Sequence, residues 1–201
     1  MSNLNTEAGI IEGVGFYYTK IQQATPKFNP EDGNEYVVDV HVDEETADAW
    51  DEEFKKNKSK FIKYDEFVEK FGAENAIGKG KQYFIKLKKN ESYADKTTGE
   101  KKPIPDIYRP RVLLDVGNGE LEDITLTKLV SNGSKGVVQY EVNENKYGRF
   151  ANLVAIKVED FIEYKSKSSG AEPKFEALGK IKKTETPIVA ESVAADVQDE
   201  W

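Results

Sequence analysis

The stretch 35-EYVVDVHVDEETADAWDEEF-54 changes its hydrophobic period halfway along. Before residue 43 apolar side chains recur at every second position, which predicts a strand with one buried side. One face holds Tyr36, Val38, Val40 and Val42, and the other holds Val37, Asp39, His41 and Asp43. From Asp43 onward, Ala47, Trp50 and Phe54 recur at helical spacing behind a capping aspartate. This spacing predicts an α-helix over about residues 44–57. A strand leading directly into a helix indicates a β domain with a helical insertion.

Short strands separated by turn signals extend to about residue 164. The run 81-KQYFIKLKK-89 alternates, the Gly117-Asn118-Gly119 turn indicates a hairpin, and residues 136–164 indicate two strands around a loop. Residues 64–72 indicate a second short helix. We therefore predict a mostly β, OB-fold-like five-stranded Greek-key barrel with an inserted helix, and a β-sandwich is the alternative.

The composition changes after Tyr164. Residues 165–183 contain Ser, Gly and Pro with six lysines against two glutamates, which is typical of a flexible basic linker. Residues 184–201 carry five carboxylates and no lysine or arginine, and they close on a tryptophan. We predict three parts: a binding domain over 1–164, a linker over 165–183, and an acidic C-terminal tail over 184–201 that is disordered when free.

Charge is divided unevenly along the chain, whose net charge is -8. Residues 31–53 hold eleven acids and no lysine or arginine, whereas residues 79–111 hold ten basic residues against four acids. Such a local field matters more to a polyanion than the total does. The sequence contains one histidine, no cysteine and no nucleotide-binding loop, so neither an enzyme nor a cofactor is predicted. No apolar run is long enough to cross a membrane.

Aromatic and basic residues occur together in two places, the combination that holds single-stranded nucleic acid by base stacking and phosphate contacts. One group lies on the strand 82–88 and in the loops after it, and the other lies in the loop between the last two strands. The candidate DNA-binding residues are Phe84, Lys86, Lys88, Tyr93, Lys96, Lys101, Lys102, Tyr108, Arg109, Arg111, Lys146, Tyr147, Arg149 and Phe150. Stacking and phosphate contacts do not distinguish DNA from RNA.

Two other classes of function compete with nucleic-acid binding. The alternation places Asp39, His41 and Asp43 on one strand face, where they could bind a divalent cation and serve a metal-dependent nuclease. The simpler interpretation is a solvated strand face with Asp43 capping the helix, and no metal site is predicted. The acidic stretch 31–53 is the candidate surface of a protein-interaction module with a basic partner.

The chain resembles the single-stranded DNA-binding proteins of short-tailed (podovirus-type) phages that encode their own replisome. The resemblance rests on "YVVDVHV" before a charged helix, on "FIKLKKNESYADKTTGEKK", on the segment from "LEDITL" to "DFIEY", and on the closing "DVQDEW". It implies an OB-fold protein that binds single strands without sequence preference during DNA replication, recombination and repair. It matches Lys86, Lys88, Tyr93 and Tyr147 to basic and aromatic residues of the family's DNA groove.

The resemblance also implies partners and a location. The tail would compete for the groove and would contact the phage DNA polymerase and helicase-primase through Glu191, Asp196, Asp199, Glu200 and Trp201. A homodimer in the host cell cytoplasm, with no membrane partner, is expected. The tail departs from the family pattern, because it is less densely acidic and ends in Trp where Phe is usual.

Overall fold

The computed structural model describes residues 7–95, 97–146 and 148–164, which form ten strands, two α-helices and three single-turn 3-10 helices. In chain order the strands and α-helices are β1 (Glu7–Pro26), β2 (Asn34–Val42), α1 (Glu44–Glu53), β3 (Lys60–Ile62), α2 (Tyr64–Phe71), β4 (Gln82–Asn90), β5 (Ser92–Ala94), β6 (Lys101–Pro103), β7 (Arg111–Gly117), β8 (Glu120–Asp123), β9 (Lys135–Asn145) and β10 (Gly148–Asp160). No helix among these residues is long and apolar enough to cross a bilayer. The linker and tail predicted over 165–201 lie outside the described residues.

Five strands close into a barrel. Antiparallel pairing gives the order β4–β2–β1–β9–β10, and a parallel bridge between Asn152 of β10 and Lys88 of β4 closes the ring. This is the five-stranded Greek-key barrel that the sequence predicted, with α1, β3 and α2 inserted between β2 and β4. The hairpin of β7 and β8 extends the sheet beyond β10, and its turn contains the predicted Gly117–Asn118–Gly119.

The barrel interior is filled by the inward-facing residues of these strands, among them Val38, Val40, Ile85, Leu87 and Leu153, all of which are fully buried. The helix α1 packs on this core through Trp50 and Phe54, whose rings lie 5.3 Å and 6.0 Å from the ring of Tyr140. Gly9 is required beneath that tyrosine, because a Cβ there would lie 2.1 Å from the ring. These contacts confirm the apolar face that the sequence predicted for α1.

The helix α1 is shorter than predicted. Asp43 caps it by accepting a hydrogen bond from Thr46 N at 2.8 Å, but the helix ends at Glu53. Residues 54–59 form a loop instead of continuing the helix. Asn57 Nδ2 donates to the carbonyl oxygen of Lys86 on β4 at 3.2 Å, and Ser59 N donates to Asp51 Oδ1 at 2.6 Å. Lysines placed by the sequence at the helix end therefore lie exposed in this loop: Lys55, Lys56 and Lys58.

The outer face of β2 is also partly buried, which corrects the prediction of a solvated face. His41 is 2% exposed, and its ring stacks on Phe67 of α2 at 4.7 Å and on Phe84 of β4 at 5.1 Å. Tyr17 of β1 meets the same ring edge-on at 5.7 Å. The helix α2 thus packs on the outside of the barrel over one end of β2 and β4.

Candidate nucleic-acid interface

The outer face of β2 and β4 divides into a covered end and an open end. The strand register places His41 opposite Phe84, Asp39 opposite Lys86, and Val37 opposite Lys88. The helix α2 covers the first pair, whereas the ammonium-bearing side chains of Lys86 and Lys88 are 47% and 55% exposed. The open end therefore presents two cations beside the edge of an aromatic cluster.

A cleft lies where the aromatic cluster meets these lysines. We call it the aromatic cleft, and its walls are Tyr18, Asp39, Lys60, Ile62, Lys70, Phe71, Phe84 and Lys86. Three aromatic rings and three lysines thus surround one opening. Two of its residues, Phe84 and Lys86, are predicted DNA-binding residues, whereas Tyr18, Lys60, Lys70 and Phe71 were not predicted from the sequence.

Tyr18 owes its position to a β-bulge. The register of β1 against β2 shifts between the pairs Tyr17–Asp39 and Lys20–Val37, so that one extra residue is inserted in β1. Tyr18 adopts a positive φ of 48°, and its N–H donates to Asn132 Oδ1 at 2.8 Å. Its ring is half exposed and lies 5.8 Å from that of Phe71. The bulge turns Tyr18 outward while its neighbour Tyr17 stays in the buried cluster.

Carboxylates of β2 stand behind both open lysines. Lys86 Nζ is 3.7 Å from Asp39 Oδ1, and Lys88 Nζ is 3.5 Å from Glu35 Oε2. The side chains of Asp39 and Glu35 are only 19% and 16% exposed. Burial raises the pKa of Asp39, and the charges of Lys86 and Lys60 act in the opposite direction. A phosphate bound here would compete with these acids for the ammonium groups.

The hairpin of β5 and β6 carries three further predicted residues. Tyr93 is 48% exposed and lines a second cleft together with Lys89 and Lys101. Lys101 Nζ donates to the carbonyl oxygen of Glu31 at 2.7 Å, and Lys102 forms a 2.7 Å ion pair with Asp95. The predicted residue Lys96 lies outside the described residues. The hairpin therefore adds one open ring and a basic rim beyond the end of β4.

The next predicted group has mostly internal contacts. The Arg109 guanidinium donates to the carbonyl oxygen of Gln22 and lies 5.4 Å from the centre of the Tyr36 ring. Arg111 forms a 2.5 Å ion pair with Asp123 across β7 and β8. Tyr108, by contrast, is 60% exposed. The two arginines thus tie strands together, and the tyrosine is the member of this group with most open surface.

The predicted cluster between β9 and β10 is dominated by ion pairs of Arg149. Its guanidinium lies 2.8 Å from Glu53, 3.2 Å from Glu7 and 3.8 Å from Glu144, and the hydrogen bonds to Glu53 and Glu7 raise its pKa. Lys146 is exposed and Phe150 is partly buried. The predicted residue Tyr147 lies outside the described residues. Arg149 therefore links β10 to β1 and α1, and its charge is offset by three carboxylates.

The residues considered for a metal are separated by their contacts. His41 Nε2 lies 3.0 Å from Gln82 Oε1, which also accepts from Ile77 N at 2.8 Å, so the histidine nitrogen must be the donor. Burial lowers the pKa of His41 to about 4. Asp43 caps α1, and Asp39 lines the aromatic cleft. Within the described ranges, no group of three or more potential ligand residues could hold a metal ion.

The acids of residues 31–53 also have internal contacts in several cases. Glu35 and Asp39 face lysines of β4, Asp43 caps a helix, and Glu53 pairs with Arg149. Tyr83 donates its hydroxyl to Glu44 at 2.5 Å. Much of this negative charge therefore serves the fold rather than forming an uninterrupted acidic surface.

The fold and this face together define a barrel of the oligonucleotide-binding type, in which strands 2 and 3 commonly form the ligand surface. In this chain those strands are β2 and β4, and they carry the aromatic cleft. The fold thus places the cleft where such barrels bind their ligands.

Comparison with known proteins gives low similarities. No protein-family profile and no curated protein matches the sequence. Among solved structures, the chain is similar to gp2.5, a single-stranded DNA-binding protein encoded by bacteriophage T7, with a TM-score of 0.46 and 18% identity over 81% of this chain and 96% of that one. It is also similar to the single-stranded DNA-binding protein from bacteriophage Enc34 in complex with ssDNA, with a TM-score of 0.41 and 15% identity over 81% and 94% of the two chains. Because these values are low, the function of this chain has to be inferred from its own residues.

Proposed function

We propose that this protein binds single-stranded DNA with little overall sequence preference on the outer face of β2 and β4. The observation that carries the proposal is the aromatic cleft, where the rings of Tyr18, Phe71 and Phe84 lie beside Lys60, Lys70 and Lys86. Every base offers a π-face, so stacking is tolerant of sequence and contributes about 1–3 kcal/mol per base. Lysines next to the rings neutralise the phosphates between stacked bases.

We propose that the bound DNA runs along β4 away from the cleft. Lys88 is the next residue of β4 on the same face as Lys86. The exposed Tyr93 and Lys101 of the β5–β6 hairpin lie beyond the end of β4. A single strand along this path would meet rings at both ends and ammonium groups between them. The path accounts for the alternation of aromatic and basic residues that the sequence shows between residues 84 and 101.

Titration with oligo-dT at two salt concentrations tests the proposal. We expect binding at low salt that weakens steeply as salt rises, because each neutralised phosphate contributes about -0.7 to the slope of log K against log salt for single strands. Absence of binding at low salt would reject the proposal and favour the protein-interaction module. Competition with oligo-rU determines whether the sugar is distinguished.

We further propose that the acidic tail regulates this face. Its carboxylates, five over residues 184–201, would compete with DNA for the lysines, and a bound strand would displace the tail. The displaced tail would then recruit the phage DNA polymerase and helicase-primase, with Trp201 as an apolar anchor, during DNA replication, recombination and repair in the host cytoplasm. A homodimer would let the tail reach a neighbouring face as well as its own.

Truncation after Lys183 tests the tail. We expect the truncated chain to bind oligo-dT more tightly than the full chain at low salt, with the difference shrinking at high salt. Equal affinities at low salt would contradict the competition. Trp201→Ala should weaken partner binding while leaving DNA binding unchanged, and sedimentation of both chains reports the oligomeric state.

A further inference from the structure

An acidic side chain stands inside the face that we assign to a polyanion. Asp39 is mostly buried and lines the aromatic cleft together with Lys60 and Lys86. Its Oδ1 atom has no hydrogen-bond partner within the part of the chain that the structure describes. The ammonium of Lys86 is 3.7 Å away, which is an ion-pair distance but longer than a hydrogen bond.

This arrangement is unfavourable for the free protein. A buried carboxylate keeps its charge at a cost unless hydrogen bonds satisfy it, and the raised pKa of Asp39 has burial as its largest cause. The carboxylate would also repel a phosphate placed in the cleft. A ligand group that fits Asp39 must therefore bring N–H donors rather than negative charge.

We propose that the aromatic cleft is a base subsite that prefers guanine, an assignment that rests on the proposed single-strand binding. The guanine ring stacks against the aromatic walls, and its N1–H and N2–H groups donate to the Asp39 carboxylate. The neighbouring O6 accepts from the ammonium of Lys86. Rotation about the second side-chain torsion of an aspartate is broad, so the carboxylate can turn toward the opening.

The other bases fit the same pair of charges less well. Thymine offers a single N–H flanked by two carbonyl oxygens, one of which would face the carboxylate. Adenine and cytosine each supply one amino group beside an accepting ring nitrogen, in place of the two adjacent N–H donors of guanine. Selection of a base through such a pair of contacts is typical of single-stranded recognition, where stacked bases expose their Watson–Crick edges.

The preference is confined to one position of the bound strand. Lys60 and Lys70 line the same cleft and can contact the phosphates on either side of the inserted base. The remaining aromatic residue of the path, Tyr93, lies on the hairpin outside this cleft and offers stacking alone. Binding as a whole therefore stays tolerant of sequence, and the preference for guanine applies to the one base that occupies the cleft.

Equal-length oligothymidylates, unmodified or with one central guanine, cytosine or adenine, test this subsite with the full chain. The oligomer can shift along the binding face until the substituted base lies in the cleft. We expect the guanine oligomer to bind at least about fivefold more tightly than oligo-dT. The cytosine and adenine oligomers should bind less tightly than the guanine oligomer. If oligo-dT binds and all four oligomers have equal affinities, the subsite is rejected and the proposed function stands. If none binds, both are rejected.

Two matched variants locate the preference. Asp39→Asn should abolish the guanine advantage, because the carboxamide removes the paired acceptors. Its oligo-dT binding should become tighter, because the lost carboxylate no longer competes with phosphate for Lys86. Glu35→Gln removes the equivalent charge beside Lys88, outside the cleft, and should keep the advantage intact. A guanine advantage that survives Asp39→Asn, or one lost equally in both variants, would overturn the assignment to Asp39.

Discussion

Protonation of His41 should destabilise the folded chain, because the imidazole is buried where α2 covers the barrel. The imidazole is enclosed by the rings of Phe67, Phe84 and Tyr17, and its Nε2–H donates to Gln82. Charging the ring in this apolar enclosure is unfavourable, and burial lowers its pKa from 6.5 to about 4. Between these values the unfolded chain binds a proton that the folded chain does not. The stabilisation is therefore complete above pH 6.5 and is lost as the pH falls toward 4.

The size of the effect follows from the two pKa values. Their difference corresponds to about 3 kcal/mol, of which about 2 kcal/mol is already lost at pH 5. Chemical denaturation of the wild-type chain and of His41→Phe at a series of pH values measures it. In the variant, Gln82 Oε1 keeps its bond from Ile77 N, so the removal of the titrating group is the main change.

The informative quantity is the difference in unfolding free energy between the two proteins as a function of pH, since other groups titrate equally in both. We expect this difference to change by about 3 kcal/mol between pH 7.5 and 4, with the wild type losing stability faster. Parallel curves for the two proteins would refute the reasoning, because they would show that His41 has the same pKa in the folded and the unfolded chain.

Three further predictions concern the binding face and the barrel. Lys86→Ala combined with Lys88→Ala should weaken oligo-dT binding and reduce the magnitude of the slope of log K against log salt by about 1.4. The control Lys157→Ala, on β10 beside Asp115 of β7, should leave affinity and slope unchanged. An unaltered slope in the double variant would exclude the two lysines as phosphate contacts. Tyr18→Ala should cost about tenfold in affinity with little change in melting temperature, and equal affinities would remove Tyr18 from the stacking surface. Gly136→Ala should destabilise the chain by about 2 kcal/mol in denaturant titrations, because its Cβ would lie 1.9 Å from the carbonyl oxygen of Lys157, and a neutral effect would contradict this packing.

Most of the fold can be predicted from local patterns in the sequence. The alternation over residues 36–42 and 82–88 and the capped helix after Asp43 are local signals, and the structure has all three elements. The end of α1 was misplaced because it depends on Asn57 bonding to Lys86 O, a contact between residues 29 positions apart. A contact of this kind leaves no trace in the periodicity of the helix.

The candidate site was predicted in part for the same reason. Phe84, Lys86 and Lys88 lie on one alternating face and were found, but Tyr18 reaches the cleft through a β-bulge and a positive φ that tyrosine rarely adopts. The paired tyrosines at 17 and 18, followed by Lys20, are the sequence signal that could have indicated it. The burial of His41 depends on where α2 docks, which is set by tertiary packing.

Photocrosslinking tests the central claim most directly, because it reports where the single strand lies. Oligo-dT carrying 5-iodouracil would be bound to the full chain at low salt, irradiated and mapped by mass spectrometry. We expect crosslinks at Tyr18, Phe71 or Phe84, with Tyr93 as a further site, and their loss on competition with unmodified oligo-dT. Crosslinks confined to Phe150 and the β9–β10 turn, or to Tyr108, would contradict binding on the face of β2 and β4.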